Sequence, residues 1–170
     1  MRAELKDEYI QYAQACMPGL HRLAYMLCGD AHRADDVVQA TLTALYVHWP
    51  RARAADNLDG YVHRILVRRY LDEKRLGWAR VALRPGAPDV TAPAADDRVE
   101  DRDEVTVALR RLPKGQRAVL VLRFFCDLSV EATAQALGCS TGNVKSQSAR
   151  GLAALRAVFG EPHPAAGGKS

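Results

Sequence analysis

The stretch LSVEATAQALGCSTGNVKSQSARGLAAL, residues Leu128 to Leu155, predicts two short helices joined by a tight turn. Ser129 offers a side-chain oxygen as the cap of the first helix, and the alanines that follow favour helix formation. Gly138 suits the left-handed conformation that ends a helix, because it has no Cβ atom to clash. Ser140 can then cap the second helix. The pattern is that of a helix-turn-helix, with helices predicted at 130–137 and from Thr141 towards Phe159.

The helical period places the side chains of the second predicted helix on two sides. One side is apolar, and we expect it to bury against the first helix: Val144, Leu152, Leu155 and Phe159. The other side carries small polar and cationic groups, which fit the major groove of DNA because such groups meet base acceptors and phosphates there. A solvated helix pair in an ordinary bundle is the alternative interpretation. The residues predicted to contact DNA are Thr141, Asn143, Lys145, Ser146 and Arg150.

Basic residues are concentrated in the same part of the chain. The whole protein of 170 residues carries a formal net charge of +4. Between Val105 and Gly160 there are eight basic residues and only two acidic ones, so this part has a net charge of +6. Such an excess fits a surface that contacts DNA phosphates. The distribution of charge therefore supports DNA binding more strongly than the total does.

The length allows one medium domain or two small helical ones. Glycine, proline and alanine crowd between Gly77 and Ala95, where they separate two regions of helical periodicity. We therefore predict an all-α fold of two small helical domains joined by a flexible linker. The predicted boundaries are an N-terminal helical bundle at 7–76, a linker at 77–100, a helix-turn-helix domain at 101–160 and a disordered tail at 161–170.

Proline, glycine and helix-capping residues indicate where the helices of the N-terminal domain begin and end. Pro18 marks either a kink or the first turn of a new helix. Gly29 ends a helix, and Asp30 can cap the next one. That helix should end at Pro50. Its apolar stripe consists of Val38, Leu42, Leu45 and Trp49.

Residues 51–56 have little apolar content and should form an exposed loop. Asp56 or Asn57 can cap the helix that follows. A basic stripe runs along that helix, and it is interpreted either as a solvated face or as a nucleic-acid surface. The stripe consists of Arg64, Arg68 and Arg75, continuous with Lys74.

Several classes of function lack their usual sequence signals. No run approaches the roughly eighteen apolar residues of a membrane span, and the N-terminus lacks the apolar core of a secretory signal, so we expect a cytoplasmic protein. The four cysteines form no CxxC pair and the histidines show no ligand spacing, so no metal or other cofactor is expected. The acidic pairs Asp35-Asp36 and Asp96-Asp97 are adjacent residues that do not face each other on a helix. We therefore expect neither a catalytic site nor a small-molecule substrate.

Taken together, the motifs of both halves resemble those of the bacterial extracytoplasmic-function sigma factors, from about Tyr9 to Phe159. LCGD at 27–30 followed by ADDVVQ at 34–39 is similar to the family's "LxGD…AEDLVQE", and NLDGYVHRI at 57–65 is similar to "NPRAWLxRI". LRRLP at 109–113 followed by QRAVL at 116–120 is similar to "LxxLPxxQRxVL". The motif VKSQ at 144–147 is similar to that of the actinobacterial SigE-like branch of the family.

The resemblance implies a promoter-specificity subunit that binds core RNA polymerase and promoter DNA. The N-terminal domain would bind a coiled coil of a large polymerase subunit through Asp35, Asp36 and Gln39. It would open the −10 element with Asp56, Asn57, Arg64, Arg68 and Arg69. The C-terminal domain would bind the −35 element as duplex, through the DNA-contacting residues predicted above. Family members are often held inactive by an anti-sigma factor, and control by transcription alone is the alternative.

The sequence departs from the family pattern at Ala40, at Ser148 and Gly151, and at Ala132-Thr133, which lacks the family's usual Glu. Ala40 stands where the family usually has an acidic residue, which removes one expected contact to polymerase. Gly151 lies inside the second predicted helix, where glycine costs about 0.5–1 kcal/mol relative to alanine. We therefore expect the end of that helix to be loose until DNA or polymerase holds it.

Two other functions are open on the residues alone. One is a helix-turn-helix transcriptional regulator that acts without polymerase and dimerises to reach two half-sites. The other is an enzyme of unknown type. The segment from Asp35 to Gln39 argues against the regulator, because a simple repressor does not need it.

Overall fold

The computed structural model describes residues 2–72, 83 and 103–160. All regular elements within these residues are helical, which confirms the all-α fold. The predicted linker at 77–100, apart from residue 83, and the tail at 161–170 lie outside the described residues, as do Lys74, Arg75 and the Asp96-Asp97 pair. The helices are α1 Ala3–Cys28, α2 Ala31–Val47, α3 Trp49–Ala52, α4 Leu58–Leu71, α5 Glu104–Arg110, α6 Lys114–Leu120 with a π-helical turn at Val121–Phe125, α7 Val130–Leu137 and α8 Thr141–Phe159.

Helices α1 to α4 form the N-terminal unit. Helix α1 runs through Pro18 without a break. Proline leaves the carbonyl four residues earlier without its helical hydrogen bond, and here that residue is the exposed Gln14, where water can replace the bond. Gly29 ends α1 in the left-handed conformation, and the Asp30 carboxylate accepts hydrogen bonds from the backbone N–H groups of His32 and Arg33, as predicted. Helices α1, α2 and α4 pack on one another. Their fully buried residues include Leu20, Leu27, Val38, Leu45, Val62 and Leu66.

Helices α5 to α8 form the C-terminal unit, in which α8 packs on α6 and α7. Gly151 is buried, and a Cβ atom added there would lie 2.7 Å from Cδ1 of Leu120. The glycine therefore lets α8 approach α6 closely, and α8 continues to Phe159. The expected looseness of the helix end without DNA or polymerase stays a prediction. The predicted burial of Phe159 was also wrong, because residues 156–160 are exposed where α8 extends past the helices that cover it.

The two units contact each other in part through cations of the C-terminal unit. The Arg117 side chain is 2% exposed and reaches the end of α1, where a Cβ atom at position 29 would lie 2.8 Å from its Nη1. Burial lowers the pKa of Arg117, and the negative end of the α1 dipole partly offsets that cost. The Arg110 guanidinium lies 4.7 Å from the centre of the Tyr25 ring. Two helical units are thus present, and they pack together.

Candidate nucleic-acid interface

The helix-turn-helix forms as the local sequence dictates. Ser129 Oγ accepts a hydrogen bond from the Ala132 N–H at 3.0 Å, and Ser140 Oγ accepts one from the Asn143 N–H at 3.1 Å. Gly138 adopts the left-handed conformation with a φ of 68°. Both predicted caps and the predicted helix end are therefore confirmed, and they determine the angle at which α8 follows α7.

The outward side of α8 carries most of the predicted DNA contacts. Val144 and Gln147 are buried on the inner side. Four of the predicted residues are exposed on the outer part of the helix: Thr141, Lys145, Ser146 and Arg150. The helix therefore presents hydroxyl and cationic groups to the surface, as a major-groove helix must.

Asn143 is placed differently from the other predicted DNA contacts. Its side chain is partly buried, and its amide donates a hydrogen bond to the backbone carbonyl of Leu83. Leu83 itself is 3% exposed and packs beside Gly115 of α6. This bond uses one of the two N–H donors of the Asn143 amide and holds its side chain against the protein.

The predicted loop at 51–56 is shorter than expected. Arg51 and Ala52 belong to α3, and Ala52 is completely buried, so this part of the prediction was wrong. The reason is that the Trp49 ring anchors the segment, while Pro50 is tolerated in the first helical turn, where its missing N–H costs nothing. Residues 53–57 complete the connection to α4.

The side chains around this loop divide into caps and exposed groups. Asn57 caps α4, because its Oδ1 accepts a hydrogen bond from the Gly60 N–H at 3.0 Å, whereas Asp56 is exposed. Arg64 and Arg68 are exposed along α4. Arg69 is partly buried on another side, and its Nη1 lies 3.7 Å from Oδ2 of Asp72. The structure thus groups the first two arginines and separates Arg69 from them.

The predicted polymerase-binding residues share the exposed side of α2. Asp35, Asp36 and Gln39 are exposed, whereas Val38 and Leu42 are buried on the other side. Asp35 Oδ1 lies 3.2 Å from Nδ1 of His21.

A cleft of about 720 Å³ separates α4 from the C-terminal unit. Arg64 and Arg68 line one wall, while Leu128, Ala132 and Ala136 line the other. The structure therefore brings the basic side of α4 close to α7. The outward side of α8 does not line this cleft.

Comparison with known proteins identifies the family of this chain. The model of sigma-70 region 2 matches residues 13–80, and that of sigma-70 region 4 matches residues 102–155. The chain is 33% identical over 154 residues to the RNA polymerase sigma-E factor of Streptomyces coelicolor, covering 88% of this chain and 84% of that protein. The chain belongs to the extracytoplasmic-function sigma factors. It is also 35% identical over 144 residues to the ECF RNA polymerase sigma factor SigM of Mycobacterium tuberculosis, covering 83% of this chain and 71% of SigM.

A solved structure supports the fold of this sigma factor. The complex of the sigma factor RpoE with the anti-sigma factor NepR from Bartonella quintana contains a chain that matches with a TM-score of 0.54 and 23% identity. The match covers 89% of this chain and 96% of that one. Family membership makes this chain a sigma subunit of bacterial RNA polymerase, which acts in transcription initiation through promoter DNA. None of the helices in the described ranges has the length and apolar character of a membrane span.

The sequence analysis missed contacts that join distant parts of this sigma factor. Glu8 and Tyr12 of α1 bind residues in and just after the loop at 53–57, and Arg117 crosses between the two units. The partners of Glu8 and Tyr12 lie 45 and 47 residues away. Helical periodicity places each of them on a side of its own helix but says nothing about which distant side chain that side meets.

Proposed function

We propose that the two units of this sigma factor bind the two promoter elements separately. The C-terminal unit, with its domain at 101–160, binds the −35 duplex through the outward side of α8. The N-terminal unit, with its domain at 7–76, opens the −10 element, and the linker at 77–100 spans the distance between them. The observation that carries the proposal is the exposed set of hydroxyl and cationic side chains on α8, opposite the buried Val144 and Gln147.

Two residues of α8 are assigned different roles at the −35 element. Arg150 lies on the outward side, where a guanidinium can bind a guanine edge, a contact worth about 1–3 kcal/mol of discrimination. Lys145 lies at the flank, where it contacts phosphate. Thr141 and Ser146 add hydroxyl contacts, and Asn143 adds an amide contact.

Titration of −35 duplexes with two variants tests this division. Arg150→Ala is expected to reduce the preference for the correct −35 sequence by about ten- to a hundredfold. Lys145→Ala should weaken binding almost equally on all sequences and lower the salt slope by about one. Equal loss of sequence preference in both variants would contradict the assignment of roles.

At the −10 element, residues 53–57, here called the −10 loop, supply polar groups to an extruded base, and α4 supplies cations. Asp56 and Asn57 hydrogen-bond the edge of the base, while Arg64 and Arg68 hold the phosphates of the opened strand, with Arg69 beside them. Asn57 also caps α4, which is worth about 1 kcal/mol of stability. The exposure of the two outer arginines on one side of α4 supports this role.

The exposed side of α2 is the proposed contact with a large subunit of core polymerase, through Asp35, Asp36 and Gln39. The acidic groups complement a basic coiled coil, and Ala40 contributes no charge. The chemistry of transcription belongs to the polymerase core, so this subunit is not itself an enzyme. Its proposed location is the cytoplasm, where polymerase and promoter DNA meet.

An anti-sigma factor is a further proposed partner. The sigma factor RpoE, whose fold this chain shares, was crystallised with the anti-sigma factor NepR. Control by transcription alone is the alternative. Co-purification of the tagged protein from its host with analysis by mass spectrometry decides between them, because core polymerase without a stoichiometric second partner would count against sequestration.

A further inference from the structure

The −10 loop is held at both ends by one side of α1. At its start, Arg53 forms a two-pronged ion pair with Glu8, in which Nη2 lies 2.8 Å from Oε1 and Nε lies 2.8 Å from Oε2. Just beyond its end, Asp59 Oδ1 accepts a hydrogen bond from the Tyr12 hydroxyl at 2.7 Å. Glu8 and Tyr12 are four residues apart, so they lie on the same side of α1.

The platform beneath the loop is a packed cluster of aromatic rings. Trp49 is 3% exposed, and the ring centres of Tyr9 and Tyr12 lie 5.7 Å and 5.6 Å from it. The Tyr9 hydroxyl donates a hydrogen bond to the Leu42 carbonyl at 2.7 Å, which joins α1 to α2. Because α1 is fixed in this way, the two polar contacts can transmit its position to the loop.

The Tyr12 hydroxyl stays protonated in its contact with Asp59. Burial and the hydrogen bond to Asp59 raise the pKa of Tyr12, so its hydroxyl remains a donor at neutral pH. The Glu8 carboxylate neutralises Arg53 and draws its guanidinium back towards α1. Arg53, at the start of the loop, is therefore held away from the phosphates of the DNA backbone.

We propose that Glu8 and Tyr12 are positioning residues for the −10 element: they fix the loop in the shape that selects the base and withhold Arg53 from the DNA backbone. The proposal rests on the proposed role of the −10 loop. It predicts two opposite effects when the ion pair is broken. The preference among −10 bases falls because the loop is loosened, and the salt dependence of binding to the opened strand rises because Arg53 gains a phosphate contact.

The test compares Glu8→Gln with Asp7→Asn, which removes the same charge from the neighbouring exposed position of α1. Holoenzymes made with core polymerase are assayed by permanganate footprinting on promoters that differ only in the −10 base. Glu8→Gln is expected to lower the preference for the best base by about two- to fivefold, the range that exposed ion pairs are worth. The salt slope on single-stranded −10 DNA should rise by about 0.7. Asp7→Asn should change neither quantity.

Two further variants complete the design. Tyr12→Phe keeps the ring on Trp49 and removes only the bond to Asp59, so it should lower the base preference without changing the salt slope. Exchange of the charges in Glu8→Arg with Arg53→Glu should restore part of the preference that Glu8→Gln loses.

Undiminished base preference in Glu8→Gln, or an equal loss in Asp7→Asn, would overturn the proposal. Replacement of residues 53–56 by a different loop separates this failure from that of the proposed function. If the replacement changes the −10 preference and Glu8→Gln does not, only the positioning role is wrong. If the replacement leaves the preference unchanged while −35 binding is intact, the loop does not select the base and both are wrong.

Discussion

Replacement of Gly151 by alanine tests the packing of α8 on α6. Helix propensity alone predicts that this change stabilises the protein by about 0.5–1 kcal/mol. The structure predicts the opposite sign. The new Cβ atom would lie 2.7 Å from Cδ1 and 3.1 Å from Cγ of Leu120, which is itself 2% exposed and has little room to move. Overpacking of this kind costs about 1–3 kcal/mol, so we expect a net destabilisation of up to about 2.5 kcal/mol.

Gly142 of the same helix supplies the matched control. The nearest atom to a Cβ added there is Ser140 Oγ at 3.8 Å, an ordinary van der Waals distance. Gly142→Ala should therefore follow propensity and leave stability equal or higher. Urea unfolding followed by circular dichroism measures both variants. If Gly151→Ala stabilises the protein as much as Gly142→Ala does, the close approach of α8 to α6 is refuted.

Three further outcomes are expected. The hydrogen bond from the Thr106 hydroxyl lowers the pKa of Asp103 from its ordinary value of 3.8, so this carboxylate stabilises the fold above about pH 4 and the contribution is lost as the pH falls through the lowered pKa. In Asp103→Asn, the urea concentration at the midpoint of unfolding should fall less as the pH is lowered. The same dependence of this midpoint on pH in both proteins would contradict the stabilising role of the Asp103 carboxylate. Burial raises the thiol pKa of Cys126 to about 12, so iodoacetamide at about pH 8 should modify Cys126 far more slowly in the folded protein than after unfolding, as followed by mass spectrometry. Asp36→Arg should weaken binding to core polymerase in a pull-down with unchanged helical content, whereas Asp7→Arg should not; undiminished binding by the first variant would contradict the polymerase contact.

Local features of the fold could be predicted from the sequence because their causes are local. A helix cap needs a side-chain oxygen within three residues of a free N–H, and Asp30, Ser129 and Ser140 satisfy that condition. Gly29 and Gly138 end helices because they adopt the left-handed conformation, which glycine tolerates for lack of a Cβ atom. This cause is also local. Periodicity also identified the buried side of α2 and the outward side of α8.

Features that depend on distant residues could not be predicted in this way. Periodicity indicates which side of α8 is apolar but not how far along the helix its neighbours cover that side. Phe159 was therefore wrongly expected in the core. The cost of Gly151 in a helix is a local property, whereas the closeness of Leu120 is a tertiary one. Of the candidate site, the exposed groups on α8 were identified, but the engagement of Asn143 by Leu83 was not.

Promoter opening by a reconstituted holoenzyme tests the central claim most directly. Core polymerase with this sigma factor is footprinted with permanganate on a promoter library that varies the −35 and −10 elements independently. We predict that opening requires core polymerase, that Arg150→Ala changes the −35 preference alone, and that combined Arg64→Ala and Arg68→Ala reduce −10 opening while duplex −35 binding is kept. Sequence-specific duplex binding of equal strength without core, together with no opening in its presence, would contradict the account and favour a regulator that acts without polymerase.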